Sequence, residues 1–179
     1  MHSVVLLALI AYRFDAPVSR HVVDAMQEET TRILERAGIE FQWWDRNSPI
    51  PMPEASQIYV LGFHGHCGPI SSADSVHAPL AVTHVVDGEV LPFSDVDCDQ
   101  IRATARNAFG FPRDLAKREE AFGRALARVA AHELVHSITK SAAHGRRGVA
   151  RAAFTQDDLT ADEFSLAPED VDRVRDCFR

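Results

Sequence analysis

The segment KREEAFGRALARVAAHELVHSIT, from about Lys117 to Thr139, constrains this chain more than any other. Phe122, Leu126, Val129 and Ala130 recur at helical spacing, which predicts the strongest helix of the sequence. A helix of that length with one apolar face needs another layer to bury it. His132, Glu133 and His136 stand near its end. Histidines four residues apart lie on one helix face, one turn above the other, so both imidazoles reach the same ion. Glu133 sits one position round the helix, where it meets a water on that ion without ligating it. With nine His in the chain, the H-E-x-x-H pattern arises by chance only about 0.03 times. The bland alternative is a buried pair of histidines satisfied by polar neighbours.

Two imidazoles make a weak, open site, and a working metal centre of this kind needs a third protein ligand. His144, eight residues beyond His136, reaches it if the helix ends near Thr139–Ser141 and the chain reverses through the small, flexible AAHGRRG stretch. Two alternatives stand beside it: Glu163 in TADEFS, and the cluster His64, His66 and Cys67 in HGHC.

The remaining chain reads as α+β in one domain spanning residues 1–179. Val4 to Ala11 is a short apolar run, taken as a buried first strand rather than a signal-peptide core, since no Lys/Arg-rich start precedes it. DAPVSRHVVDAMQEETTRILERAG predicts a helix stopped by Gly38, and IEFQWW predicts a half-buried strand. QIYVLGF is a further strand, followed by a long connection from His64 to Pro79. LAVTHVVDGEVLPF predicts a hairpin turning at Asp87-Gly88, and DVDCDQIRATARNA a short helix. After the motif helix comes a mostly irregular tail, closed by the helix APEDVDRVRDCF with Pro168 and Glu169 near its start. The expected architecture is a small mixed sheet with an amino-terminal, a motif-bearing and a carboxy-terminal helix.

Composition narrows the partners. A formal charge of −7 argues against nucleic acid, whose binders concentrate Lys and Arg on one face. No apolar run approaches the roughly 20 residues that span a bilayer. Three cysteines leave at least one thiol without an internal partner. Cys67 and Cys98 are the expected disulfide, which places the protein in an oxidising compartment; a reduced Cys67 would be free to cap the metal.

The arrangement HELVHSITKSAAHG…GVARAAF resembles the metzincins, zinc endopeptidases whose long motif adds a third His after a helix-ending Gly. The likeness is greatest to small bacterial secreted-type members in which the last spacing is longer. AGIEFQWW and FSLAPEDVDRVR resemble flanking parts of such domains. The resemblance implies a zincin-like fold, with Zn2+ as cofactor on His132, His136 and His144 and with Glu133 as general base. It implies hydrolysis of a peptide or protein substrate by a monomer that is secreted or periplasmic, its export signal absent from this chain. It also implies substrate contacts along Leu80 to Val85 (Leu80, Val82 and His84) and a pocket wall from Val149, Ala150 and Arg151, with Arg151 suited to an acidic group.

Two departures stand out. Thr139 and Lys140 occupy the place of the motif Gly, and Ala142 that of the usual third His. Ala150 replaces the family's methionine beneath the ligands. Slack support of that kind costs about ten-fold in affinity or rate. A non-catalytic zinc-binding domain that holds a peptide or protein is therefore the alternative function, and a zinc that merely staples the fold is a third.

Overall fold

The computed structural model describes residues 7–69, 78–109 and 114–177. Strand β1 (Leu7–Phe14) is buried along most of its length, with Ala8, Leu9 and Ile10 fully enclosed. The first residues of the expected strand, Val4 to Leu6, lie outside the described residues, as does the middle of the 64–79 connection.

Helix α1 (Arg20–Leu34) starts at Ser19, whose hydroxyl accepts from the His21 amide. It ends earlier than its apolar pattern suggests. Glu35–Ala37 tighten into a 3-10 turn, and Gly38 then takes φ 76°, a left-handed conformation that glycine adopts without a Cβ clash. The chain returns as β2 (Glu40–Asp45), parallel to β1, with Trp43 edge-on to Tyr12. Strand β3 (Gln57–His64) pairs with the other side of β1, and Tyr59, Leu61 and Phe63 alternate into the core. Strands β4 (Ala81–Val86) and β5 (Glu89–Asp97) form the expected hairpin. Asp87 at φ 52° and Gly88 at φ 82° give the two left-handed residues that a tight hairpin turn requires.

The sheet runs β2-β1-β3-β5-β4. Its first four strands are mutually parallel, and β4 is antiparallel to β5 at the edge. Asp97 caps α2 (Cys98–Thr104), whose first residue is joined to Cys67 by a disulfide. A short α3 (Arg106–Phe109) leads to α4 (Leu115–Thr139), capped by Asp114, so the motif helix begins two residues earlier than its pattern alone predicts.

Helix α4 packs along α1 and beneath β5 and β4. At Gly123 the helices approach so closely that a Cβ would meet the Val22 carbonyl at 2.5 Å. Phe122, Leu126 and Val129 are buried there, each worth about 1.5–3 kcal/mol of burial. A charged pair crosses this apolar seam: Arg128 of α4, fully buried, faces Glu29 of α1 at 3.1 Å. The tail is more ordered than its composition predicts. Gly148–Ala150 form a 3-10 turn, Gln156–Thr160 form α5 inside a Thr155/Asp158 capping box, and α6 (Pro168–Asp176) closes the chain. Among the described residues no helix is long and apolar enough to cross a membrane. The architecture is a mixed α+β fold.

Candidate metal centre

Helix α4 delivers His132, Glu133 and His136 from its last buried turns, each no more than 9% exposed. The helix stops at Lys140, which adopts φ 48° without being glycine, and its amide bonds back to the His136 carbonyl. That left-handed residue reverses the chain just past Thr139. The following segment returns beneath the histidines, and His144, exposed on its outer side, comes to the pair. One ring nitrogen from each of His132, His136 and His144 lies within 4.8 Å of the others. The His144 ring stacks on His132 at 5.3 Å and meets His136 edge-on at 4.9 Å.

The donor chemistry of this group follows from two backbone carbonyls. His132 Nδ1 donates to the Val149 carbonyl and His136 Nδ1 to the Ser141 carbonyl, both at 2.7 Å. A carbonyl only accepts, so each Nδ1 carries the proton and each Nε2 presents a lone pair. The two Nε2 atoms face one another at 3.0 Å. Lone pairs that close repel unless a cation joins them. A proton is a poor choice, because burial pushes the His132 imidazolium down to about 4. A tetrahedral zinc with nitrogen ligands at 2.0–2.1 Å sets those ligands about 3.3 Å apart, close to the separation seen. The set fits such an ion.

Glu133 projects beside the group. Burial raises its carboxyl above the ordinary carboxylate range, and a hydrogen bond from Thr83 opposes the rise. Thr83 Oγ1 lies 2.5 Å from Glu133 Oε2 and 2.9 Å from Ser94 Oγ. Thr83 escaped sequence reasoning, although it stands inside the nominated LAVTHV strand. Period-two alternation does signal that it and Ala81 share a face, but not that this face meets α4.

A cleft of about 500 Å3 opens over the group, lined by Leu80, Val82, Thr83, Val129, Phe154 and Arg151 among others. Leu80 and Val82 thus border the cleft, and three of the expected contacts stand differently. His84 is outside the lining: it follows Thr83 on β4 and so turns to the opposite face, where its Nε2 bonds Asp95 Oδ2 at 2.7 Å. Val149 and Ala150 are buried under the histidines rather than walling the cleft, and Val149 contributes its carbonyl. Arg151 does reach the cleft, but its guanidinium is held by both oxygens of Asp158 at 2.9 and 3.0 Å. Its charge is therefore matched within the protein. Phe154 was not foreseen; its ring stands edge-on to His132 at 5.4 Å and braces it from the tail.

The other candidates for the third ligand lie elsewhere. Glu163 is exposed on the tail and outside the ligand group. Cys67 is bonded to Cys98, and His64 bridges Asp15 and Asp95 at 2.7 Å each. His66 is exposed.

Over 92% of this chain and 99% of the other, the structure matches a solved zinc-dependent peptidase from Methanocorpusculum labreanum (strain Z), with a TM-score of 0.57 and 12% sequence identity. The two share a fold. No family model matches the chain, and neither does any curated protein sequence.

Proposed function

We propose that this protein is a zinc-dependent endopeptidase of metzincin-like type, with His132, His136 and His144 holding the metal and Glu133 acting as general base. One observation carries the reading: two imidazoles whose tautomers are fixed by backbone carbonyls turn their lone pairs to one point, with a third imidazole and a buried carboxylate beside it. A metal that only stapled the fold would have no use for that carboxylate at the floor of a cleft. The shared fold with a zinc-dependent peptidase supports the same reading.

Bound zinc would supply Lewis-acid polarisation and lower the pKa of a coordinated water towards ~7. Glu133 takes a proton from the attacking water as the new C–O bond forms, and its burial-raised basicity suits that role. It then passes the proton to the amide nitrogen as the C–N bond breaks, leaving a carboxylic acid and an amine, and the acid gives up its proton to the amine or to solvent. Strand β4, at the sheet edge above the cleft, would pair with the extended substrate backbone. Leu80, Val82 and Phe154 favour apolar side chains, and Arg151, already matched by Asp158, offers little to acidic ones. The Cys67–Cys98 disulfide supports a site of action outside the reducing cytoplasm.

The test is turnover of a mixed peptide library by wild type and Glu133→Ala, each with and without zinc. Zinc-dependent cleavage by wild type and its loss in the variant are expected. Zinc binding without cleavage by wild type would replace the peptidase reading with the peptide-holding one.

A further inference from the structure

The partner of Glu133 suggests a device that the metal ligands alone do not provide. Thr83 and Ser94 are register partners on β4 and β5, and both turn their hydroxyls towards α4. Ser94 is 3% exposed, so its hydroxyl finds its partner in the protein. A hydroxyl has one proton to give and two lone pairs to receive with. If Thr83 gave its proton to Ser94, its own lone pair would face the Glu133 carboxylate at 2.5 Å, oxygen against oxygen. With Glu133 ionised, as a general base requires, the arrangement that satisfies every contact runs in one direction: Ser94 donates to Thr83, and Thr83 donates to Glu133 Oε2. The Glu133 backbone carbonyl, 3.3 Å from the same hydroxyl, is the longer and weaker of its two acceptors.

This chain of donors makes the two carboxylate oxygens unequal. Oε2 is occupied by the Thr83 hydroxyl, whereas no side chain of the described residues donates to Oε1; the Thr83 backbone amide adds a weaker contact to the carboxylate. A glutamate side chain otherwise samples several rotamers, and a misplaced base costs rate steeply. We propose that Thr83 is a positioning residue that locks the Glu133 carboxylate through Oε2, so that Oε1 is the atom receiving the proton. It also ties the base to the edge strand along which a substrate would lie. The inference rests on the peptidase reading for its kinetic consequence, but not for the geometry of Glu133.

Thr83→Val keeps the shape and removes the hydroxyl; Thr83→Ser keeps the hydroxyl. On a peptide cleaved by wild type, Thr83→Val should lower kcat about 10–100-fold, with KM within about two-fold and zinc content unchanged. Thr83→Ser should recover kcat to within about three-fold of wild type. Crystal structures of both proteins form the second arm: Glu133 should hold one rotamer in wild type and spread over at least two in Thr83→Val. If the valine variant does not fold, Thr83→Ala takes its place in both arms. Wild-type kcat in the hydroxyl-free variant, no rescue by serine, a loss of bound zinc that accounts for the fall, or an unmoved Glu133 would each overturn the proposal. If wild type cleaves no peptide, the peptidase reading fails by itself, and the Glu133 rotamers still decide for or against the positioning role.

Discussion

Replacing Glu29 with Gln removes the carboxylate that, among the described residues, pairs with a guanidinium that water does not reach. The side chains of Arg128 and Glu29 are 0% and 6% exposed, and their contact is 3.1 Å. Breaking a buried ion pair from one side costs about 3–5 kcal/mol, because the remaining charge stays desolvated. Here the guanidinium keeps other company: the Asp158 carbonyl at 2.8 Å, the Ala161 carbonyl at 2.5 Å and the Phe164 ring at 5.3 Å. Those dipoles offset part of the lost charge, which puts the cost at the low end, about 3 kcal/mol. Arg32 also touches Glu29 but is 40% exposed, so its loss adds little. For a chain of this size 3 kcal/mol lowers Tm by about 6–12 °C. The assay is thermal unfolding followed by circular dichroism in chelator, so that metal binding does not contribute. Glu29→Leu combined with Arg128→Met should recover the charge penalty yet remain about 1–3 kcal/mol below wild type, since two buried carbonyls lose their donor. A Glu29→Gln variant melting within about 2 °C of wild type would refute the argument, because it would mean the guanidinium never needed its counter-charge.

Three further outcomes are expected. Cys67→Ser with Cys98→Ser opens a loop with a sequence separation of 31 and should cost about 3–4 kcal/mol by the chain-entropy model, read from urea unfolding; a cost under about 1 kcal/mol would sink that account. Asp95 and then Asp15 hold the His64 imidazole above its ordinary value, so its stabilising contribution is complete below about pH 6.5 and fades as pH rises through the higher folded value. The stability difference between wild type and His64→Asn should therefore shrink from about pH 5.5 to about pH 8.5, and with the ring 42% exposed it stays under about 1 kcal/mol and weakens in salt. Zinc at 100 times its Kd should raise the Tm of wild type by about 5–11 °C, following a stabilisation of about 2.7 kcal/mol, and most of that rise should vanish in His144→Ala.

Much of the scaffold was legible because local rules agreed with tertiary ones. Asp87-Gly88 can hardly be read as anything but a hairpin turn, and the apolar spacing of Phe122, Leu126 and Val129 specifies a helix whatever packs on it. The facing histidines on that helix were legible for the same reason, since an i, i+4 pair depends only on helical geometry. What escaped was set by partners distant in sequence. Arg128 looks like a surface residue until Glu29, 99 positions away, is brought against it. Thr83 looks like one more strand residue until α4 runs beneath β4 with Glu133 50 positions on. His84 lies on the face of β4 opposite Thr83, beside Asp95, and which of the two faces meets α4 is not written in the strand's alternation. The order in the 148–160 tail was hidden for a different reason: its Gly- and Arg-rich composition resembles a loop, and its turns are held by Arg151, Asp158 and the buried Arg128.

The carbonyls of Ser141 and Val149 aim the imidazoles of His136 and His132, and both belong to the stretch of chain that also brings in His144. Undocking that stretch would remove one donor and leave the other two free to change tautomer and spin. A half-built centre is thus not a state in which this polypeptide can rest. On the proposed zinc reading, loading should be all-or-none, arriving only after the loop has seated, and any agent that pries the loop loose should release the ion in the same step.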